Sequence, residues 1–174
     1  MNNLRFEKLD PQKHDRNNFD CGEQNLNIFL KVYASQQQKQ GFCTTYVCTS
    51  DDDPKKAKTI LGYYTISASS IEATNADYFS KRKLPYQQIP TVKIGRLARD
   101  VKQSPKGFGK LILKTALNQC VEFATNNLGI WAVEVDLISE EVKPFYKAFG
   151  FQEIPKLPLR LILPISIIKE AQRE

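Results

Sequence analysis

The sequence predicts an α/β (α+β) protein in which helices pack on the faces of a mixed β-sheet. A first helix is followed by two segments rich in β-branched and aromatic residues, and then by a strand, helix, strand, helix, strand order. The 174 residues suffice for one substantial core and are too few for two generous domains, and 41% of them are hydrophobic. We therefore expect a single globular domain over residues 1–174.

The first predicted element is an amphipathic helix. Apolar residues recur at helical spacing over residues 26–34, and Asp20 followed three positions later by Glu23 forms a candidate capping box before them. Gly41 is a residue type that often follows the end of a helix. We expect the helix to stop before it.

A β-hairpin is predicted next. Residues 44–49 and 59–69 are rich in β-branched and aromatic side chains, and the polar residues 50–56 between them suit a turn. Residues 70–90 are polar and basic and contain two prolines. We expect them to form a long loop with at most a short helix, and to be a place for substrate-specific variation.

The second half of the chain alternates between strands and helices. The predicted elements are a strand over 91–98, a helix that follows Gly109 and ends near Gly129, a strand over 130–137, a short helix over 139–149 and a strand over 159–163. Pro144 lacks a backbone N–H, so the first turn of the short helix should be irregular.

The net charge of the whole chain is +6, and the positive charge is concentrated in one part of it. Between residues 93 and 114 only Asp100 is acidic, and the basic residues there are Lys93, Arg96, Arg99, Lys102, Lys106, Lys110 and Lys114. Residues 81–83 add a second basic group. A solvated face is the common explanation of such a run, but this one also contains a turn with two glycines, Gly107 and Gly109, which favours an anionic ligand.

Cysteine and histidine spacing gives no support for a metal site. The four cysteines form no Cys-x-x-Cys pair, and the single histidine, His14, has no cysteine beside it. We expect free thiols in the core and no bound metal. A cysteine nucleophile paired with His14 is the alternative.

No segment has the length and composition of a membrane span. The apolar residues 157–168 are interrupted by Pro158, Arg160 and Pro164, and they fall short of the roughly 20 residues that a spanning helix needs. The N-terminal residues lack the apolar centre of a secretory signal. We expect a cytoplasmic protein.

The glycine turn before the long helix has the features of an anion site. Gly107 and Gly109 remove side chains that would block a ligand, and the helix that follows directs its positive end at the turn. A plain bend before a helix is the alternative. The third glycine of a dinucleotide-binding motif is absent, as is the Gly-Lys-Ser/Thr of a nucleoside triphosphate site.

Two signatures resemble the GNAT N-acetyltransferase superfamily. One is Ser-Pro-Lys-Gly-Phe-Gly at 104–109, and the other is Phe-Tyr-Lys-Ala-Phe-Gly-Phe at 145–151. The resemblance implies a mostly antiparallel, twisted sheet with helices on both faces and a splayed strand pair for acetyl-coenzyme A. It also implies that the co-substrate is held by Leu97, Ala98, Arg99, Ser104, Lys106, Gly107, Phe108, Gly109, Lys110 and Ser139.

Four further motifs are similar to the GNAT toxins of type II toxin-antitoxin modules. They lie at 19–22, 26–30, 62–67 and 95–100, so the resemblance covers nearly the whole chain. It implies acetylation of the α-amino group of aminoacyl-tRNA, a ribbon-helix-helix antitoxin as partner, no membrane, and DNA only through the antitoxin, and it leaves room for a homodimer. The basic residues implied for tRNA are Lys81, Arg82, Lys83, Lys93 and Arg96.

Acetyl transfer needs an acid for the departing thiolate, and Tyr146 suits that role. A phenol with a pKa of about 10 is protonated at neutral pH, although a core position for this tyrosine is the alternative. An α-amine, with a pKa near 8, is partly neutral without a base, so Glu134 and Asp136 are equally well structural. Other functions stay open: a GNAT enzyme for a small amine or a protein N-terminus, a basic RNA-binding module, and an interaction protein.

Overall fold

The computed structural model describes residues 4–50, 56–80, 82–102 and 104–173. The strands in these residues are β1 (Arg5–Lys8), β2 (His14–Asp15), β3 (Thr44–Thr49), β4 (Lys58–Glu72), β5 (Gln88–Arg99), β6 (Ala132–Asp136), β7 (Gln152–Ile154) and β8 (Leu157–Pro164). The α-helices are α1 (Gln24–Ile28), α2 (Ala34–Lys39), α3 (Ala73–Ala76), α4 (Phe108–Asn126), α5 (Lys143–Lys147) and α6 (Ile165–Ala171).

The strands of the described residues form a mixed sheet in the order β1-β3-β4-β5-β6-β8-β7, with β2 beside β4. The β1–β3, β3–β4, β6–β8 and β7–β8 pairs are antiparallel, whereas β5 pairs in parallel with β6 from Thr91↔Ala132 to Ile94↔Val135. The predicted mixed, mostly antiparallel sheet with helices is therefore confirmed. The chain divides into two compact units, Met1–Ser67 with Gly95–Ala116 and Ala68–Ile94 with Leu117–Glu174, and a single domain over 1–174 stays a prediction.

In the first unit, the hairpin and the first helix enclose an apolar core. The predicted hairpin is confirmed, because β3 and β4 pair antiparallel from Thr44↔Ile66 onwards. The predicted helix is confirmed as α1 and α2, joined by a π-helical turn at Phe29–Tyr33. The buried residues of this core are Leu9, Phe19, Phe29, Leu30, Ala34, Val47, Ile60, Tyr63 and Ala98.

The predicted capping box is wrong. Helix α1 begins at Gln24, and its N-cap residue, Glu23, makes no side-chain capping bond. Gly22 has a φ of 81°, which turns the chain so that its N–H donates to Asp20 Oδ1 at 2.9 Å. The same carboxylate oxygen accepts from Asn27 Nδ2 at 2.8 Å. Asp20 thus closes the turn before the helix and does not cap the helix itself.

In the second unit, residues 70–80 of the predicted loop form more secondary structure than their composition indicates. Strand β4 continues to Glu72, helix α3 follows, and a 3-10 turn spans Asp77–Phe79. The buried core here consists of Ile71, Ala76, Ile89, Ala132, Ile154 and Ile162.

Helix α6 was not predicted, because a short apolar run does not distinguish a strand from a helix. Pro164 ends β8 and is the N-cap residue of α6.

Replacing Gly62 by alanine should destabilise the protein. A Cβ at this position of β4 would lie 2.9 Å from the backbone carbonyl oxygen of Ala98 and would also press on the side chain of Ile112. Overpacking of this kind typically costs about 1–3 kcal/mol, so we expect the free energy of unfolding to fall by that amount.

Urea denaturation of Gly62→Ala measures this loss, and Gly129→Ala is the matched control. A Cβ at Gly129 meets no atom within 4 Å among the residues that the structure describes. The control should therefore leave the free energy of unfolding unchanged or raise it slightly. Equal stability of the two variants would contradict the close approach of β4 to Ala98.

Candidate active site

The glycine turn lies in the first unit and has the backbone geometry that its sequence predicts. Gly107 has a φ of 84°, a conformation that favours glycine. The N–H of Phe108 donates to the carbonyl of Pro105 at 3.1 Å, and the N–H of Lys110 donates to that of Gly107 at 3.0 Å. Two N–H groups of this segment thus close the turn itself.

Helix α4 gives the turn a fixed orientation. Phe108 is buried at the first position of the helix, and Ile112, Leu113 and Ala116 are buried on the same side. Lys106, Gly107 and Lys110 remain exposed, and Gly109 is partly exposed. The N-terminal end of a 19-residue helix therefore faces solvent between two lysines, an arrangement that attracts an anion.

Ser104 is turned inward. It is 8% exposed, and its hydroxyl donates to the carbonyl of Asp100 in a short hydrogen bond. Arg99 Nη1 lies 3.5 Å from the same hydroxyl oxygen, so the structure brings these two predicted cofactor residues together. Ser104 shapes the turn from behind, and its hydroxyl already has partners.

Asp100 fixes the loop between β5 and the glycine turn. Its side chain is buried, with Oδ2 accepting from the N–H of Asp20 at 2.9 Å and Oδ1 from the N–H of Lys102 at 2.8 Å. Its own N–H donates to the carbonyl of Leu61 at 2.9 Å. The sequence did not predict this role for Asp100, because a contact with a residue 80 positions away leaves no local signal.

The end of β5 carries four of the predicted site residues. Ala98 is buried, while Arg96, Leu97 and Arg99 are partly exposed. The guanidinium carbon of Arg96 lies 3.8 Å from the ring centroid of Phe29, a cation–π contact. The sequence did not predict this contact. Phe29 belongs to the π-helical turn and stacks on Tyr63 with ring centroids 6.1 Å apart.

Tyr146 lies in the second unit, on the short helix α5. Its ring is partly buried and makes edge contacts with Phe145 and Phe151, with centroid distances of 5.1 and 5.7 Å. Burial raises the pKa of Tyr146 to about 12. The phenol therefore keeps its proton across the neutral range.

Pro144 and Gly150 define the segment that holds Tyr146. Pro144 occupies the first turn of α5, where its missing N–H has no helical partner to lose, and a 3-10 turn at Glu140–Val142 precedes it. The predicted irregular first turn is thus confirmed. Gly150, with a φ of 91°, ends the helical segment. Ser139 precedes the 3-10 turn, is partly exposed and makes no side-chain capping bond.

The basic residues predicted to bind tRNA differ in their exposure and in whether their charge is paired. Lys93 Nζ lies 2.7 Å from Asp136 Oδ2, so its charge is paired, whereas Arg82 and Lys83 are exposed. Lys81 lies outside the described residues. The structure therefore leaves Arg82 and Lys83 as the accessible members of this set in the second unit.

Both carboxylates considered as bases are engaged within the second unit. Burial acts to raise the pKa of Asp136, but hydrogen bonds from Lys93 and Arg160 hold it below its ordinary value. Glu134 is fully buried, accepts a short hydrogen bond from the hydroxyl of Thr91, and lies 3.6 Å from Arg160 Nη1. These contacts favour structural roles for Glu134 and Asp136.

The cysteine–histidine alternative finds no support. Nδ1 of the buried His14 must accept the N–H of Asp10 at 2.9 Å, so Nε2 carries the proton and donates to Glu7 Oε1 at 3.0 Å. All four cysteines are described and free, and burial raises the pKa of Cys48 and of Cys120 to about 12. Thiols held in the protonated form are poor nucleophiles.

The described part of the chain contains no group of three or more His, Cys, Asp or Glu side chains that could hold a metal ion. None of its helices is long and apolar enough to cross a membrane.

No family model matches the chain. A protein of Sinorhizobium fredii (strain NBRC 101917 / NGR234) named "Probable toxin TacT" is 33% identical to it over 172 residues, which span 94% of this chain and 92% of that protein. The chain belongs to the GNAT toxin family. Another member, the "tRNA-acetylating toxin" of Mycobacterium tuberculosis (strain ATCC 25618 / H37Rv), is 28% identical over 91% of this chain and 89% of that protein.

Solved structures of GNAT toxins superpose on nearly the whole chain. AtaT complexed with acetyl-methionyl-tRNAfMet has a TM-score of 0.85 and 28% identity, covering 98% of this chain and 99% of that one. A tyrosine-to-phenylalanine mutant of KacT has a TM-score of 0.85 and 29% identity, covering 97% and 98%. AtaTR bound with AcCoA has a TM-score of 0.82 and 30% identity, covering 97% and 98%.

Proposed function

We propose that the protein is an acetyl-CoA-dependent N-acetyltransferase, a toxin that acetylates the α-amino group of aminoacyl-tRNA and so blocks translation. The observation that carries the proposal is the likeness, over 98% of the chain, to AtaT complexed with acetyl-methionyl-tRNAfMet. The glycine turn and Tyr146 supply the two local features that such a reaction needs.

The co-substrate binds through its pyrophosphate at the glycine turn in this proposal. Gly107 leaves room for the ligand, the N-terminal end of α4 provides a positive dipole, and Lys106 and Lys110 supply full charges. The residues that carry this function are exposed, whereas Ser104, Asp100 and Phe108 are buried and hold the turn in place.

The chemistry follows from the groups that remain available. The neutral α-amine attacks the thioester carbonyl, a C–N bond forms, and the C–S bond breaks as the tetrahedral oxyanion collapses. Backbone N–H groups of the strand from Arg96 to Arg99 are proposed to stabilise the oxyanion, and Tyr146 gives its proton to the departing thiolate. After the attack the nitrogen gives up a proton to water, and Tyr146 regains a proton from water. No strong base is needed, because an α-amine with a pKa near 8 is already partly neutral.

The partners in this proposal follow from the relatives. An AtaT mutant has been solved bound to the C-terminus of the antitoxin AtaR, and KacTA has been solved as a DNA complex. We propose a ribbon-helix-helix antitoxin for this chain, with DNA contacted only through it. The cytoplasm, where aminoacyl-tRNA is found, is the proposed location, and a homodimer stays a prediction.

Incubation with labelled acetyl-CoA and charged total tRNA tests the function. We expect label on the aminoacyl group, and a transfer rate at low tRNA concentration that falls steeply with added salt, because phosphate contacts dominate RNA binding. Uncharged tRNA is the control and should stay unlabelled. Label found only on small amines or proteins, with charged tRNA untouched, would exclude the toxin function and favour the small-amine alternative.

A further inference from the structure

Two tyrosines of the second unit are exposed on one short segment that also contains two partly buried apolar residues. Tyr78 is 65% exposed and Tyr86 is 67% exposed. Phe79 and Leu84, which lie between them in the chain, pack against the core that contains Ile71 and Ala76. The segment thus packs two partly buried apolar side chains against the core and leaves two aromatic rings exposed to solvent.

The backbone of this segment is held at both ends. At its start, the 3-10 turn Asp77–Phe79 follows helix α3 directly. At its end, the N–H of Ala73 donates to the carbonyl of Gln87 at 2.8 Å. In between, the hydroxyl of Ser80 donates to the carbonyl of Arg82 at 2.6 Å and accepts from the N–H of Arg82 at 3.2 Å. These contacts fix the described residues Ser80, Arg82 and Gln87 of the segment.

The charge of the segment suits a polyanion. Arg82 and Lys83 are exposed between the two tyrosines, and no acidic residue occurs in the sequence from 78 to 86. We call Tyr78, Arg82, Lys83 and Tyr86 the tyrosine patch. Exposed aromatic rings interleaved with cations are the surface on which single-stranded nucleic acids bind, since bases stack on the rings and phosphates meet the cations.

A cavity of the same unit is lined in part by residues that follow the patch in the sequence. It has a volume of about 270 Å³ and is lined by Glu72, Ala73, Thr74, Gln87 and Gln88, the last two directly following Tyr86. Its side chains include amide donors, amide acceptors and a carboxylate. Such walls suit the hydrogen-bonding edge of an unstacked base and disfavour a phosphate.

We propose that the tyrosine patch binds the unpaired nucleotides at the 3′ end of the aminoacyl-tRNA acceptor. Tyr78 and Tyr86 stack on bases, and Arg82 and Lys83 contact the phosphates. Paired bases are already stacked inside a helix and offer no faces to the rings, so the single-stranded end and not the stem is the occupant. This inference rests on the proposed function, because it assigns part of the binding of the same acceptor.

Binding of a short single-stranded RNA that ends in CCA tests the patch directly. Stacking of one base is worth roughly 1–3 kcal/mol, so Tyr78→Ala and Tyr86→Ala should each weaken binding by roughly 5-fold or more. The variants Tyr78→Phe and Tyr86→Phe keep the rings and should bind nearly as the wild type does. Phe42→Ala, which removes a 68% exposed ring in the first unit, is the matched control and should have no effect.

Salt dependence and steady-state kinetics complete the test. In the Arg82→Gln, Lys83→Gln double variant, the negative slope of log K against log salt should become shallower by roughly 1.4, since each lost phosphate contact contributes about 0.7 for a single strand. The KM for charged tRNA should rise in both alanine variants, with kcat nearly unchanged. Thermal melting on the same preparations shows that they are folded.

Several results would contradict the RNA-binding role of the patch, and they can be distinguished from failure of the proposed function. If wild-type protein acetylates charged tRNA and the folded alanine variants keep its KM and its affinity for RNA, the patch has no part in RNA binding. If the alanine variants instead lose binding of a protein partner while RNA affinity is kept, the patch is a protein-binding surface. If the wild type leaves charged tRNA untouched, the proposed function itself fails.

Discussion

Tyr146→Phe should lower kcat by roughly 10²-fold or more, the usual loss when a general acid is removed. The change deletes one oxygen and keeps the ring, so the edge contacts with Phe145 and Phe151 should survive. Burial already raises the pKa of Tyr146 to about 12, which keeps the acid form available. The affinity for acetyl-CoA should change little, because the lost proton acts on the departing thiolate.

Steady-state kinetics, cofactor titration and thermal melting on one preparation separate catalysis from packing. Tyr33→Phe, at a 49% exposed position, is the matched control and should keep full turnover. An acid is active while protonated, so ionisation of Tyr146 should reduce turnover only as the pH rises towards its raised pKa, well above the physiological range. A folded Tyr146→Phe variant with normal turnover would assign this tyrosine to packing alone.

Gly109→Glu should weaken acetyl-CoA binding by on the order of 100-fold or more. The substitution adds a side chain and a negative charge in the first turn of α4, where the proposed pyrophosphate lies. Two like charges about 4 Å apart repel by roughly 4 kcal/mol at an effective dielectric constant near 20, which exceeds a 100-fold change. The helix itself should tolerate the change, because an acidic residue near its N-terminus is favourable.

Calorimetric titration with acetyl-CoA measures this effect, and Gly129→Glu is the matched control. The control adds the same charge at an exposed glycine beyond the end of α4, so cofactor affinity should stay at the wild-type value. Unchanged affinity in Gly109→Glu would remove the glycine turn from the cofactor site. Loss of affinity in both variants would instead indicate a general effect of net charge.

The features that could be predicted were those encoded by neighbouring residues. The hairpin of β3 and β4, the strand β5 and the helix α4 follow from the alternation and helical spacing of apolar residues, which are local properties. The positive φ of Gly107 likewise follows from a turn sequence of a few residues. The short strands β1, β2 and β7 were missed, because two to four residues carry too little periodicity.

Contacts between distant residues could not be predicted. Asp100 was one charge in a basic run, yet its carboxylate ties the turn to Asp20. Arg96 was predicted to contact the substrate, and the structure places its guanidinium over Phe29. The sequence offered Glu134 as a base, and full burial beside Thr91 favours a structural role for it. In each case the partner is far away in the chain.

By itself, the sequence determined the class of protein, the order of its main elements and the two signatures that contain Gly107 and Tyr146. The tertiary structure alone decided which of those residues are available for chemistry. It turned the hydroxyl of Ser104 inward, paired Lys93 with Asp136, raised the pKa of Tyr146 and left Tyr78 exposed. The physical reason is that exposure, pKa and ion pairing depend on which atoms surround a side chain, and distant parts of the chain supply most of those atoms.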